Sequence, residues 1–229
     1  MSRRRSVRPA APLLAAVLAA AAACGSGAAD DEGEGEAASS AADVAAPATP
    51  GTAAELASLV VPEVPSGLAR VPDADVDPPA GQKSIDDVAG YADDPAYERQ
   101  VLEDFGYLHG WERFWGTPGG RATTVFVDQF ADASGAAAYA EDLAGDGAVY
   151  YAGALEHDPA ELPDGCRLLT VLRPDPATRV PGPAAFAWCA HGVFSVAVSA
   201  VTEPAGGSLE EATEEVAAVV AEQLDRLPA

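Results

Sequence analysis

Length, composition and charge narrow the classes of protein to which the chain can belong. It has 229 residues, and its 36 acidic and 13 basic residues give a formal net charge of −23. Four of the basic residues and none of the acidic ones precede Cys24, so a chain that begins at Cys24 carries a net charge of −27. Such a chain repels the phosphates of nucleic acids and of anionic lipids, and we expect no nucleic-acid partner.

The first 23 residues have the pattern of an export signal. Four arginines lie between residues 3 and 8, and an apolar run follows over residues 10–23. The run is shorter than the roughly 20 residues that a membrane-spanning helix needs. A basic region, a short apolar region and small residues at its end together mark a cleavable signal. We therefore expect the mature protein to work outside the cytoplasm.

Cys24 follows the apolar run directly and resembles the acylated cysteine of a bacterial lipobox. The resemblance implies that residues 1–23 are a lipoprotein signal peptide and that acyl chains on Cys24 hold the mature protein on the membrane. Ala21, Ala22 and Ala23 also satisfy the A-x-A pattern of ordinary signal peptidase, so plain secretion is the alternative. An unpaired cysteine is prone to oxidation in an exported protein, which favours lipidation.

Residues 24–55 are predicted to be a disordered, acidic tether. They are mostly Ala, Gly, Ser, Pro, Thr and acidic residues, and they include no aromatic residue. Such a segment buries too little apolar surface to offset the entropy of ordering it. A flexible coil of about 30 residues spans roughly 30 Å, enough to lift a domain off a membrane. The remaining residues, 56–229, are of a length that suits one domain.

Within residues 56–229, the hydrophobic periodicity and the turn residues predict helices and antiparallel strands. Helices are predicted to begin at Ser84, to follow caps at Asp94, Asp132 and Ser208, and to stop at Gly106 and at Gly145. Strands are predicted over residues 107–115, 121–130, 149–154, 166–172, 186–190 and 193–201. The predicted fold class is α+β, with an antiparallel sheet and helices packed on one face.

Three short motifs follow the tether in order. They are a proline-broken stretch over residues 62–67, the pattern Phe-Gly-Tyr-x-x-Gly-Trp-x-Arg over residues 105–113, and Phe-Ala-Asp-Ala over residues 130–133 before an alanine-rich helix. This order resembles a loose set of actinobacterial cell-envelope lipoproteins of unknown function. One lysine against twelve arginines, and no asparagine, fit a high-GC actinobacterial genome. The resemblance carries over no catalytic residue.

Cys166 and Cys189 are the two cysteines of the predicted domain. Exported proteins keep disulfides, because their compartment is oxidising. We therefore expect a disulfide between Cys166 and Cys189 that joins two adjacent strands.

One predicted strand alternates large and polar side chains along a single face. This face carries Tyr107, His109, Trp111, Arg113 and Trp115. On one interpretation the aromatic rings are core and Arg113 reaches the edge. On the other they form an aromatic surface that faces a ligand on the open side of the sheet. These five residues are the candidate ligand-binding residues.

The chain offers no pattern for catalysis, metal binding or cofactor binding. Its three histidines lack the spacing of a metal site, and no G-x-S-x-G, P-loop or dinucleotide motif occurs. In so acidic a chain a pair such as Glu112 and Asp128 arises by chance. We expect no catalytic residue, no metal and no cofactor.

These patterns predict a membrane-anchored envelope lipoprotein with a non-enzymatic domain. The partners expected are the membrane, through the acyl chains, and an unidentified envelope ligand or protein. Two alternatives belong to other classes: a hydrolase that acts on envelope polymers, and a structural accessory subunit of a transporter or sensor. An apolar concavity would favour binding, whereas convergent acids in a cleft would favour an enzyme.

Overall fold

The computed structural model describes residues 48–117 and 119–228. The predicted signal peptide, Cys24 and almost all of the predicted tether lie outside these residues. Within the described part of the chain, no helix combines the length and the apolar character that crossing a membrane requires.

A seven-stranded sheet forms the centre of the domain, in the order β1-β2-β3-β7-β6-β5-β4. The strands are β1 (Gly81–Lys83), β2 (Tyr107–Gly116), β3 (Ala122–Phe130), β4 (Ala154–Glu156), β5 (Cys166–Val171), β6 (Ala184–His191) and β7 (Phe194–Val201). Every neighbouring pair is antiparallel. The two edge strands, β1 and β4, have three residues each, which leaves little edge open to pairing with another chain.

In the described part of the chain, five α-helices accompany the sheet: α1 (Ala53–Leu56), α2 (Ile85–Ala89), α3 (Pro95–Asp104), α4 (Ala133–Tyr151) and α5 (Leu209–Arg226). Side chains cap the first turns of the longer helices as predicted: Asp94 accepts from the Tyr97 amide, Asp132 from Gly135, and Ser208 from Glu211. The predicted α+β class with an antiparallel sheet is confirmed.

Helices α4 and α5 pack on opposite faces of the sheet, whereas the sequence predicted helices on one face. Ala185 and Ala187 of β6 share a core with α5, and Phe186 and Trp188 share one with α4. Neighbouring residues of a strand point to opposite faces, so the two helices enclose β6 between them. The reason is visible in β6 itself, since residues 184–189 are all apolar and all buried. Such a run is typical of a strand covered on both sides.

Helix α4 continues past Gly145 and Gly147 to Tyr151, so the predicted break at Gly145 and the predicted strand over residues 149–154 are wrong. A Cβ on Gly147 would lie 2.6 Å from Cη2 of Trp188. Only glycine lets the helix approach the indole ring this closely. A glycine inside a helix costs about 1 kcal/mol, and the close contact with Trp188 offsets this cost.

The folded domain begins before residue 56, the predicted boundary. The Thr52 side chain accepts a hydrogen bond from the Glu55 amide and caps α1. Ala53 and Leu56 are buried in that helix. The amide of Gln129 in β3 donates to the carbonyl of Pro50, at 2.9 Å. The residues just before 56 are therefore part of the domain.

Two glycines of α4 give a matched test of this packing. We expect Gly147→Ala to lower the free energy of unfolding by about 1–3 kcal/mol, because the new methyl group overlaps the Trp188 ring. Gly145 is exposed and has nothing within 4 Å of its Cβ position. Gly145→Ala should therefore raise the free energy of unfolding by about 0.5–1 kcal/mol. Urea unfolding of both variants checks this, and stabilisation by both would contradict the close contact.

Candidate functional site

The five predicted ligand-binding residues do not share one face of the sheet. A bulge between Tyr107 and His109 shifts the register of β2 against β3. Tyr107 therefore packs with Phe130 on the face of α4. The other four side chains follow the bulge in regular alternation and lie on the face of α5. The prediction of a single continuous surface is corrected on this point, because a bulge reverses the alternation of the residues before it.

The chain between residues 50 and 64, which we call the entry segment, packs on the face of α5. Its residues Leu56, Val60, Val61 and Val64 are buried in the same core as Trp115, which is 1% exposed. Trp111 is half-buried against this core. The expected open aromatic surface is therefore corrected as well, since an irregular segment and a helix occupy this side of the sheet. Ligand binding by these residues stays a prediction.

Arg113 is bound to the entry segment by three hydrogen bonds. Its Nη1 donates to the carbonyls of Val60 and Val61, at 2.6 and 2.8 Å, and its Nη2 donates to the carbonyl of Ala57, at 2.8 Å. The guanidinium group thus holds the chain just after α1, where unpaired carbonyls attract a positive charge. The positive charge of Arg113, which the sequence predicted to face a ligand, instead binds backbone carbonyls inside the domain.

Helix α5 holds the same stretch from the other side. Gln223 is fully buried, and it accepts from the Val61 amide at 2.9 Å and donates to the carbonyl of Leu59 at 3.1 Å. Arg226 donates to the carbonyls of Leu59 and Ser58. Five consecutive carbonyls, those of residues 57–61, therefore each accept a bond from a side chain. The sequence signal for this role was Gln223 itself, a polar residue on the apolar stripe of α5.

A second polar group lies on the opposite face and was not predicted. We call it the buried ionic cluster: Lys83, Tyr91, Tyr107, Glu112 and Asp128. Lys83 Nζ lies 2.9 Å from Glu112 Oε2, and both side chains are less than a tenth exposed. The hydroxyl of Tyr91 donates to the same oxygen at 3.0 Å. Lys83 Nζ also donates to the carbonyl of Pro79 and lies 5.3 Å from the centre of the Tyr91 ring.

Burial and pairing shift the pKa values of this pair. Burial alone would lower the pKa of Lys83, but its hydrogen bonds to Tyr91 and Glu112 outweigh that effect, and its pKa is raised. Burial raises the pKa of Glu112, and the ammonium group of Lys83 opposes the rise. The pair is thus an ion pair in a dry setting, where removing either partner would strand a charge.

Asp128 is the most confined member of the buried ionic cluster. It is 3% exposed, and its Oδ1 has no hydrogen-bond partner among the described residues. It faces Gly110 of β2, where any Cβ would overlap Oδ1. Burial raises the pKa of Asp128 to about 7, while the Tyr107 hydroxyl beside it acts in the opposite direction. The carboxyl group therefore takes up a proton at a higher pH than an exposed aspartate does.

The charged residues of the cluster are enclosed, and Tyr91, which is 45% exposed, lies at its edge. Glu112 and Asp128 lie on the same sheet face, but both are buried, as is Lys83. A general acid or base has to reach the proton that it transfers. The arrangement therefore holds a carboxyl group of raised pKa and an ion pair inside the domain.

The histidines lie apart in the fold. His109 is in β2, His191 ends β6, and His157 is an exposed residue 3.7 Å from Glu141. Burial lowers the pKa of His109. Among the described residues no three His, Cys, Asp or Glu side chains are grouped to hold a metal ion.

The predicted disulfide is confirmed. Cys166 of β5 and Cys189 of β6 are direct register partners, and their sulfurs are bonded. The bond joins two neighbouring strands through cysteines that are 23 residues apart in sequence. Both cysteines are buried in the core shared with α5.

A concave site lies at the β4 edge of the sheet, and we call it the edge groove. It has a volume of about 560 Å³ and is lined by residues 152–154, residues 170–173 and Leu209. Leu172 in its wall is 58% exposed. The last turn of α4 precedes it and carries the exposed side chains of Val149 and Tyr150. Sequence reasoning missed the groove because it assigned residues 149–154 to a strand.

The chain was compared with known families, curated proteins and solved structures. A family model described as "Domain of unknown function (DUF7373) N-terminal" matches residues 73–229. No curated protein matches the chain. The crystal structure of the extracellular domain of PknH from Mycobacterium tuberculosis is similar with a TM-score of 0.39 and 13% identity, over 56% of this chain and 68% of that chain.

The contacts of Arg113 predict a structural role. We expect Arg113→Ala to lower the free energy of unfolding by about 2–3 kcal/mol, because three partly buried carbonyls lose a charged donor. The control is Arg99→Ala, which removes an exposed arginine paired with Asp86 and Glu103 and should cost about 0.5 kcal/mol or less. Urea unfolding measures both. Equal losses in the two variants would contradict the role assigned to Arg113.

Asp128 predicts a pH dependence of stability. The pKa of Asp128 is about 7 in the folded chain and near 4 in the unfolded chain, so between these pH values the folded chain binds one proton more than the unfolded chain. The free energy of unfolding therefore falls as pH rises from about 4 to 7. Asp128→Asn removes this loss. Relative to the wild type, the variant should gain about 2–3 kcal/mol between pH 5 and pH 8.

Urea unfolding at the two pH values measures this gain. Asp75→Asn, at an exposed carboxylate, controls for the change in net charge. A stability difference between Asp128→Asn and the wild type that stays constant with pH would show that Asp128 does not titrate in this range.

Proposed function

We propose that this chain, which belongs to the DUF7373 family of domains of unknown function, is an extracytoplasmic protein anchored to the membrane by acyl chains on Cys24. The observation that carries the proposal is the cysteine placed directly after the apolar run of an export signal. The disulfide between Cys166 and Cys189 supports it, because disulfides persist in oxidising compartments outside the cytoplasm.

The negative charge of the domain bears on the role of the predicted tether. Residues 48–229 contain 30 acidic and 9 basic residues, a net charge of −21. Such a domain is repelled by anionic head groups. We propose that the residues between Cys24 and the entry segment, about 25 of them, hold the domain away from the bilayer surface. A flexible coil of that length would span roughly 25–30 Å.

The role proposed for the domain is binding rather than catalysis. Asp128, whose pKa burial raises to about 7, is enclosed in the buried ionic cluster, whereas the concave surface of the domain, the edge groove, is mainly apolar. Apolar concave sites with a few polar groups are typical of ligand binding. The groove is therefore the place where we expect a ligand or an envelope partner to bind.

Substitution of Cys24 tests the anchor. Mass analysis of the intact protein from the membrane fraction should show a diacylglycerol group on an N-terminal Cys24. Cys24→Ser should move the protein to the soluble fraction or the medium. The matched control replaces Cys166 and Cys189 with alanine, which should leave the acyl group and the membrane fraction unchanged. Recovery of the wild type only as an unmodified protein in the medium would show that the chain is secreted instead.

A further inference from the structure

Two arginines differ from the other basic residues of the domain. Seven of the nine basic side chains in the described residues bind a carboxylate or a backbone carbonyl: Arg70, Lys83, Arg99, Arg113, Arg121, Arg167 and Arg226. Arg173 and Arg179 are exposed and have no such partner within the described part of the chain. Both lie in the loop between β5 and β6, and Arg173 lines the edge groove. In a domain with 30 acidic residues, this loop keeps positive charge available to a ligand.

The walls of the edge groove are apolar. Leu172, Val171 and Leu209 contribute to them, together with the small residues of the turn after α4. More than half of Leu172 is in contact with water, as are Val149 and Tyr150 one turn before the groove. Exposed apolar side chains grouped in this way are typical of a binding surface. The volume of about 560 Å³ is that of a small-molecule site.

We propose that the edge groove binds an anionic molecule with an apolar chain, such as an alkyl carboxylate or alkyl phosphate, with Arg173 pairing with the head group. The guanidinium group presents two parallel N–H donors that match both head groups. The apolar walls accommodate the chain. A membrane surface fits less well, because the many charges of an anionic surface would face the strongly acidic domain as a whole, whereas a single head group faces Arg173 in the groove. This inference names the ligand class of the binding role proposed above and does not depend on the lipid anchor.

Binding of dodecanoate and dodecyl phosphate tests the proposal. The protein is the full chain with Cys24→Ser, so that no acyl chain of its own competes, and each probe is kept below its micelle concentration. Calorimetry should show one molecule of either probe bound per chain. Dodecyltrimethylammonium, with the same chain and the opposite charge, and inorganic phosphate, with no chain, should not bind. Equal binding of the cationic probe, or no binding of either anionic probe, would overturn the proposal.

Variants locate the site. Arg173→Gln should weaken binding of dodecyl phosphate about tenfold or more, because one charge-assisted pair is lost. Leu172→Gln should weaken it too, and both residues are exposed, so folding is not at stake. Arg70→Gln is the matched control, since Arg70 is a partly exposed arginine near the other edge of the sheet, beside β2. It should leave binding unchanged.

Two further outcomes would overturn the assignment. Unchanged affinity in Arg173→Gln would place the head group elsewhere. Binding to vesicles of phosphatidylglycerol without binding of the monomeric probes would assign the surface to the membrane instead of a single ligand. The test uses a chain that carries no acyl group, so a negative result would not contradict the proposed anchor on Cys24. Conversely, an absence of acylation in cells would not affect the result of the binding test.

Discussion

The partial burial of an irregular stretch of backbone is the constraint on which the α5 face of the domain depends. Residues 57–61 are neither helix nor strand, yet Val60 and Val61 among them, and Leu56 just before them, belong to the core. A buried carbonyl without a donor costs about 1–3 kcal/mol, and four of the five carbonyls accept hydrogen bonds that are partly buried. Arg113 and the polar residues of α5 supply the donors. The entry segment is therefore part of the fold and not a continuation of the tether.

The need for these donors explains why residues that the sequence suggests for ligand binding stabilise the fold instead. Arg113 lies between Trp111 and Trp115 on a strand, a pattern that favours a ligand site. The structure turns its donors inward because a segment 50 residues earlier in the chain needs them. On the opposite face, Lys83 and Glu112 form an ion pair that Tyr91 completes. In both places the polar groups bind each other or the backbone.

Local signals predicted most of the fold, and contacts between distant segments account for the rest. Strands β2, β3, β6 and β7 and the caps of the longer helices follow from alternation and from side chains near their own backbone. The continuation of α4 could not be predicted from Gly145 and Gly147, because the contact that favours it is with Trp188, about 40 residues later. The bulge after Tyr107, the three-residue strands and the fit of Gln223 to residues 59–61 depend on partners in the same way.

The position of the edge groove separates ligand binding from the point where the chain enters the domain. The entry segment is held by β2, β3 and α5, whereas the groove lies beside β5 and β4. Strands β2 and β5 are four places apart in the sheet, a distance of roughly 19 Å at the usual strand spacing. A ligand in the groove would therefore displace none of the hydrogen bonds that hold residues 57–61.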